Sequence, residues 1–104
     1  PQYHGAQSSV INSMVSEGCK IFGRVENSVL SCGVVVEAGA LVKDSVIMDD
    51  VIVKTGASVY SCIVDSLAKI GAGATVGVNG AGAITVVGKG EEILGTDTLI
   101  GGDK

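Results

Sequence analysis

The stretch Asn27–Lys43, NSVLSCGVVVEAGALVK, is followed at once by Asp44–Tyr60, DSVIMDDVIVKTGASVY, and the two can be laid one over the other. Asn27-Ser28-Val29-Leu30 falls on Asp44-Ser45-Val46-Ile47, and Glu37-Ala38-Gly39-Ala40 falls on Lys54-Thr55-Gly56-Ala57. The register extends both ways. Upstream lies a 15-residue block, Asn12–Glu26, and downstream a 17-residue block, Ser61–Gly77. Down the columns the chemistry is constant. Val15, Leu30, Ile47 and Val64 form one aliphatic column; Ile21, Val36, Val53 and Ile70 form a second; Val25, Val42, Val59 and Val76 form a third.

Anchors about six residues apart fit neither the 3.6-residue period of a helix nor long strand alternation. They describe a short strand followed by a turn, repeated three times per coil, with each strand paired in parallel to its copies in the neighbouring coils. The small residues agree. Gly39, Gly56 and Gly73 recur three residues after the second column's anchor, where a left-handed corner favours glycine. Ala40, Ala57 and Ala74 follow them, and Ser13, Ser28, Ser45 and Cys62 make another small column. The shorter first block carries Gly23 two residues after its anchor and predicts a tighter corner. The predicted fold is an all-β solenoid, a parallel β-helix of about four coils over residues 12–77. Residues 1–11 read as a linker from a preceding domain, 78–94 as a strand-like extension covering the open end, and 95–104 as a flexible tail.

Composition narrows the function. The 104 residues include 16 glycines, one proline and only three aromatic residues, two Tyr and one Phe, so the interior must be narrow and aliphatic. A net charge of -4 argues against nucleic acid, which selects basic faces. No stretch approaches the apolar length of a membrane-spanning helix. Three cysteines with no close pair, Cys19, Cys32 and Cys62, fit a reducing cytoplasm and a structural role.

The hexapeptide phrases VEAGAL, VKTGAS and IGAGAT resemble the left-handed β-helix, whose hand periodicity does not supply. The phrases SEGCKIFGRVENSVL, KDSVIMDD and AITVVGKGEEI together resemble the C-terminal domain of bacterial glucose-1-phosphate adenylyltransferases, over roughly residues 1–93. The resemblance implies a non-catalytic domain of an enzyme that converts ATP and glucose 1-phosphate to ADP-glucose and pyrophosphate in glycogen synthesis. Mg²⁺ and ATP would bind the separate N-terminal nucleotidyltransferase domain, none of whose parts are in this sequence. The implied roles are subunit assembly, as a homo-oligomer that is tetrameric in the family, and transmission of signals from a phosphorylated effector. In plant members effector-binding lysines precede an AIID stretch and the final ITV strand; the matching positions here are Tyr60 or Ser61, and Gly80, so a plant-like 3-phosphoglycerate site is not matched. Fructose 1,6-bisphosphate or AMP, used by bacterial members, stay open.

Each residue with chemical potential has a plainer reading beside the functional one. His4 is the only histidine. A hexapeptide acyltransferase, the alternative reading, needs a histidine base in its coils, and His4 precedes the first block, where a linker histidine is the simpler account. A three-histidine zinc site is excluded by counting. GAGATVG echoes a phosphate-binding loop, but Gly73 is in register with the corner glycines, and the strand–helix context such a loop requires is missing. Asp49-Asp50 and Glu91-Glu92 read as solvated surface. Lys20, Arg24, Lys43, Lys54 and Lys69 are the candidate effector anion contacts, against their role as solubilising charges on strands. The β-helix domain of another sugar nucleotidyltransferase, or of a regulatory paralogue, is a further alternative.

Overall fold

A computed structural model describes residues 3–5, 8–77, 84–94 and 98–99 of the chain, with residues 3, 4, 98 and 99 described by their backbone alone. Its regular elements are all strands. β1 (Tyr3–His4) and β2 (Ser9–Ile11) lead into the repeat. The first block then supplies β3 (Met14–Val15), β4 (Lys20–Ile21) and β5 (Arg24–Glu26). The second supplies β6 (Val29–Leu30), β7 (Val35–Val36) and β8 (Leu41–Lys43). The third gives β9 (Val46–Ile47), β10 (Ile52–Val53) and β11 (Ser58–Tyr60), and the fourth β12 (Cys62–Val64), β13 (Lys69–Ile70) and β14 (Thr75–Val76). Beyond the blocks come β15 (Thr85–Val87), β16 (Glu92–Ile93) and β17 (Thr98–Leu99).

Every third strand pairs in parallel, which closes the chain into a three-sided β-helix. Sheet A is β1-β4-β7-β10-β13-β16, sheet B is β2-β5-β8-β11-β14-β17, and sheet C is β3-β6-β9-β12-β15. The register is that of the sequence columns: Ile21, Val36, Val53 and Ile70 stack in sheet A, and Val25, Val42, Val59 and Val76 in sheet B. From the second coil onward all three columns are fully buried, and Val15 packs against the core they form. Cys19, Val34, Val51 and Ala68 add a fourth buried column just ahead of sheet A, a set the sequence reading did not single out.

The solenoid begins earlier than Asn12. Ser9–Ile11 pair with Arg24–Glu26, and Tyr3–His4 pair with Lys20–Ile21, so these parts of the stretch read as linker belong to sheets A and B. Downstream, β15 lies on β12, β16 on β13 and β17 on β14. The extension thus continues sheets C and A, while Thr98–Leu99, within the 95–104 stretch expected to be a flexible tail, forms a strand of sheet B. The remaining residues of the extension, 78–83, and the rest of the 95–104 tail lie outside the described residues.

Corners set the coil. Gly39, Gly56 and Gly73, between sheets A and B, have φ of +77°, +74° and +76°, the left-handed conformation that glycine adopts without strain. Gly23 is glycine for a different reason. Only Phe22 and Gly23 join β4 to β5, and a Cβ at Gly23 would strike the carbonyl oxygens of Ala40 and Glu37 in the coil above.

The serine column is a hydrogen-bonded ladder as well as a small one. Ser28 Oγ donates to the Glu26 carbonyl at 2.7 Å and accepts the Ser45 amide at 3.1 Å. Ser45 Oγ donates to the Lys43 carbonyl at 2.8 Å and accepts the Cys62 amide at 3.2 Å. Each buried hydroxyl thereby satisfies one coil and links it to the next. At Cys62 the ladder changes: its Sγ lies 3.0 Å from the Tyr60 carbonyl, while the amide of Thr85 bonds the Ser61 carbonyl.

Candidate functional site

Outward-facing residues alternate with the buried anchors, so the register also places every candidate site residue. Lys20 and Lys69 share one outward column of sheet A, with Val35 and Ile52 between them. Three strand spacings of about 4.8 Å put their backbones roughly 14 Å apart. Lys54 lies just past β10 on the same side of the solenoid. Arg24 and Lys43 belong to sheet B. The five basic residues are therefore divided between two faces. Carboxylates accompany three of them: Arg24 is ion-paired with Glu26, Glu26 is also the register partner of Lys43, and Glu92 is the register partner of Lys69.

An open depression of about 420 Å³ lies where the short two-residue corner meets the longer corner of the next coil. Phe22, Ala38, Ala40 and Leu41 line it, and Arg24 is its single charged residue. The rest of its lining is glycine and Ser9. With one cation already engaged by Glu26, this depression offers little to a phosphorylated ligand.

The remaining candidates resolve into structure. His4 stands in the first strand of sheet A, in register with Ile21, and not in a linker. In the GAGATVG stretch the amides of Gly71, Gly73 and Ala74 bond the carbonyls of Ile93, Thr55 and Gly71, which leaves none of the three to cradle a phosphate. Asp49 accepts the Cys32 amide at 3.1 Å, and Asp50 occupies a left-handed corner with φ of +57°. Glu91 accepts the Gly88 amide at 2.5 Å within its own turn. Among the described residues no group of three or more His, Cys, Asp or Glu side chains is placed to hold a metal ion.

The cysteines are free thiols. Cys19 and Cys62 are buried and Cys32 is exposed. Burial pushes the Cys62 thiol up to about 11, partly offset by its contact with the Tyr60 carbonyl. Burial raises Cys19 as well.

The parallel three-sided coil and the hexapeptide spacing define a hexapeptide-repeat β-helix domain. The model of the GlmU-like, C-terminal hexapeptide family matches residues 2–87, and the chain belongs to that family. Among similar proteins, a glucose-1-phosphate adenylyltransferase of Acetivibrio thermocellus is 41% identical over 76 residues, covering 73% of this chain and 18% of that protein. Proteins of the same name from Clostridioides difficile and Thermosipho africanus are 54% identical over 44 residues and 49% over 43 residues, covering 42% and 41% of this chain and 11% and 10% of theirs. The chain thus spans less than a fifth of the length of the relatives it matches.

Proposed function

We propose that this chain is the β-helix domain of a glucose-1-phosphate adenylyltransferase, without catalytic groups of its own, and that it serves subunit assembly and regulation of a nucleotidyltransferase domain in the same polypeptide. The observation that carries this reading is the conjunction of a parallel β-helix, hydrogen-bonded from coil to coil, with relatives of that name matched over a minor part of their length. Mg²⁺ and ATP then belong to the catalytic domain, where they supply charge neutralisation and the transferred nucleotidyl group. The three free thiols support a cytoplasmic setting. For a phosphorylated effector, Lys20, Arg24, Lys43, Lys54 and Lys69 act as single contacts, each completed by groups from outside this chain, because they lie on two faces.

Assays on two polypeptides test the reading. The 104-residue chain alone should form no ADP-glucose from ATP and glucose 1-phosphate, whereas the longer polypeptide that contains it should form both ADP-glucose and pyrophosphate. Acetyl transfer from acetyl-CoA by the chain alone, lost on His4→Ala, would replace this reading with the acyltransferase one.

A further inference from the structure

The corner between sheets A and B recurs in successive coils, and its copies show what its backbone donors require. From Glu37 to Ala40 it is a type II turn: the Ala40 amide bonds the Glu37 carbonyl at 3.1 Å, and Gly39 holds the positive φ at the third position. One coil further, the amide of Thr55, which corresponds to Ala38, bonds a carboxylate oxygen of Glu37 at 3.0 Å. In the coil after that, the amide of Gly73, which corresponds to Gly39, bonds the Thr55 carbonyl at 3.0 Å. In both cases the acceptor comes from the corner of the preceding coil.

The turn Glu37–Ala40 has no such predecessor. The coil before it turns with Phe22 and Gly23 alone, so Phe22 stands where a carboxylate would, and the residue whose carbonyl would meet Gly39 is missing. Among the described residues neither the Ala38 nor the Gly39 amide has an acceptor, and both residues are exposed. They line the depression of about 420 Å³ described above. Ser9, Arg24 and Leu41 stand in register along its side. Glu26 engages Arg24 through Nε, which leaves the two terminal guanidinium nitrogens as a fork of donors. Phe22 and Leu41 supply the apolar wall.

From these unmet donors we propose that the depression binds an aryl monocarboxylate. Its carboxylate takes the part that Glu37 plays for the next coil, accepting from the Ala38 and Gly39 amides and from Arg24. Its ring lies against Phe22, in the gap of about 4.8 Å, one strand spacing, that the short corner leaves. Arg24 and Glu26 together are neutral, so the donors suit one negative charge better than the two of a phosphate monoester. The site is open and shallow, which sets a dissociation constant on the order of 1 mM. It is built from this chain alone and does not rest on the catalytic domain proposed above.

Phenylacetate titrated into the ¹⁵N-labelled 104-residue chain, up to about 20 mM, should shift the Ala38 and Gly39 amides along a saturable curve. Phenylacetamide, the same shape without the charge, should not. Arg24→Gln should weaken binding about fivefold or more, and so should Ala38→Pro, which deletes one donor at a turn position that favours proline. Ala72→Pro, at the same position of the turn closed by the Ala74 amide and the Gly71 carbonyl, should leave binding unchanged. Urea midpoints show which variants keep the fold, and Arg24→Gln decides alone if Ala38→Pro does not. Shifts that stay linear to the highest concentration overturn the inference. So does equal binding of phenylacetamide, binding indifferent to Arg24→Gln, or equal weakening by Ala72→Pro.

Discussion

Two corners of the β-helix make the same backbone demand and meet it with different residues. Between sheets A and B, three successive coils place glycine at the left-handed position, Gly39, Gly56 and Gly73. Ahead of sheet A the equivalent position is Gly18, Gly33, Asp50, Leu67 and Gly90, with φ from +57° to +77°. The first corner is legible in the sequence as an invariant letter. The second hides behind three residue types, although the chain does the same thing there. A corner is therefore defined by the conformation that returns the chain in register. Residue type only sets how much strain that conformation carries, about 1–2 kcal/mol for an ordinary side chain and close to none for glycine.

The largest expected effect lies inside both corners, in the columns they serve. Val53 is fully buried between Val36 and Ile70. Val53→Asp gives up about 2 kcal/mol of aliphatic burial and places a carboxylate where no partner waits, at a further cost of several kcal/mol. Against a total stability of about 5–15 kcal/mol, the variant should be unfolded or nearly so in water by circular dichroism. A urea midpoint equal to that of the parent would show that the column is not interior.

A change at the first corner should cost less. A Cβ at Gly56 would meet nothing closer than 3.9 Å, so Gly56→Ala isolates the backbone term and should destabilise by about 1–2 kcal/mol in urea. Gly23→Ala sharpens the contrast, since its penalty is steric and comes from the carbonyls of Ala40 and Glu37.

Alkali probes the ladder beside the other corner column. The folded Cys62 pKa, about 11, lies above the ordinary thiol value of 9.0, so the folded state holds the proton more tightly than the unfolded one. This contribution is fully present below pH 9 and is lost as pH rises towards and through 11, a fall of about 3 kcal/mol at most. Cys62→Ser should remove that part of the alkaline fall when its stability curve is compared with the parent's. A parallel pair of curves would mean that the thiol titrates as it does in the unfolded chain.

The smallest effect belongs to the second corner and has the opposite sign. Leu67 is half exposed and holds φ of +66°, so it combines strain with little burial. Leu67→Gly relieves the strain and loosens the unfolded chain, for a net gain of about 0.5 kcal/mol. A loss of 1 kcal/mol or more would show that Leu67 is held by packing and that the two corners are not equivalent.

The same contrast explains what the sequence could reveal. Aliphatic columns and the Gly-Ala corner repeat as letters, and so were readable over residues 12–77. The column Asn12, Asn27, Asp44 and Ser61 opens each block, yet its left-handed φ of +47° to +53° becomes visible only in the structure, because Asn and Asp also serve ordinary turns. The serine ladder was visible as small residues and not as hydrogen bonds. Tyr3–His4 and Ser9–Ile11 look like linker in the sequence because they precede the first recognisable repeat, and their membership rests on pairing with the coil above. Charge gave five candidate anion contacts, but the folding of a six-residue period onto three faces decides which charges can meet, and it separates Arg24 and Lys43 from the three lysines near sheet A.

Backbone contacts between coils test the central claim, in-register parallel stacking, most directly. In the isotope-labelled chain, nuclear Overhauser contacts across strands should join residues 17 apart in all three sheets: Ile52 with Lys69, Val59 with Val76, and Val29 with Val46. A pattern of antiparallel contacts, or contacts between neighbouring strands within a block, would contradict the β-helix and the whole assignment of inward and outward columns.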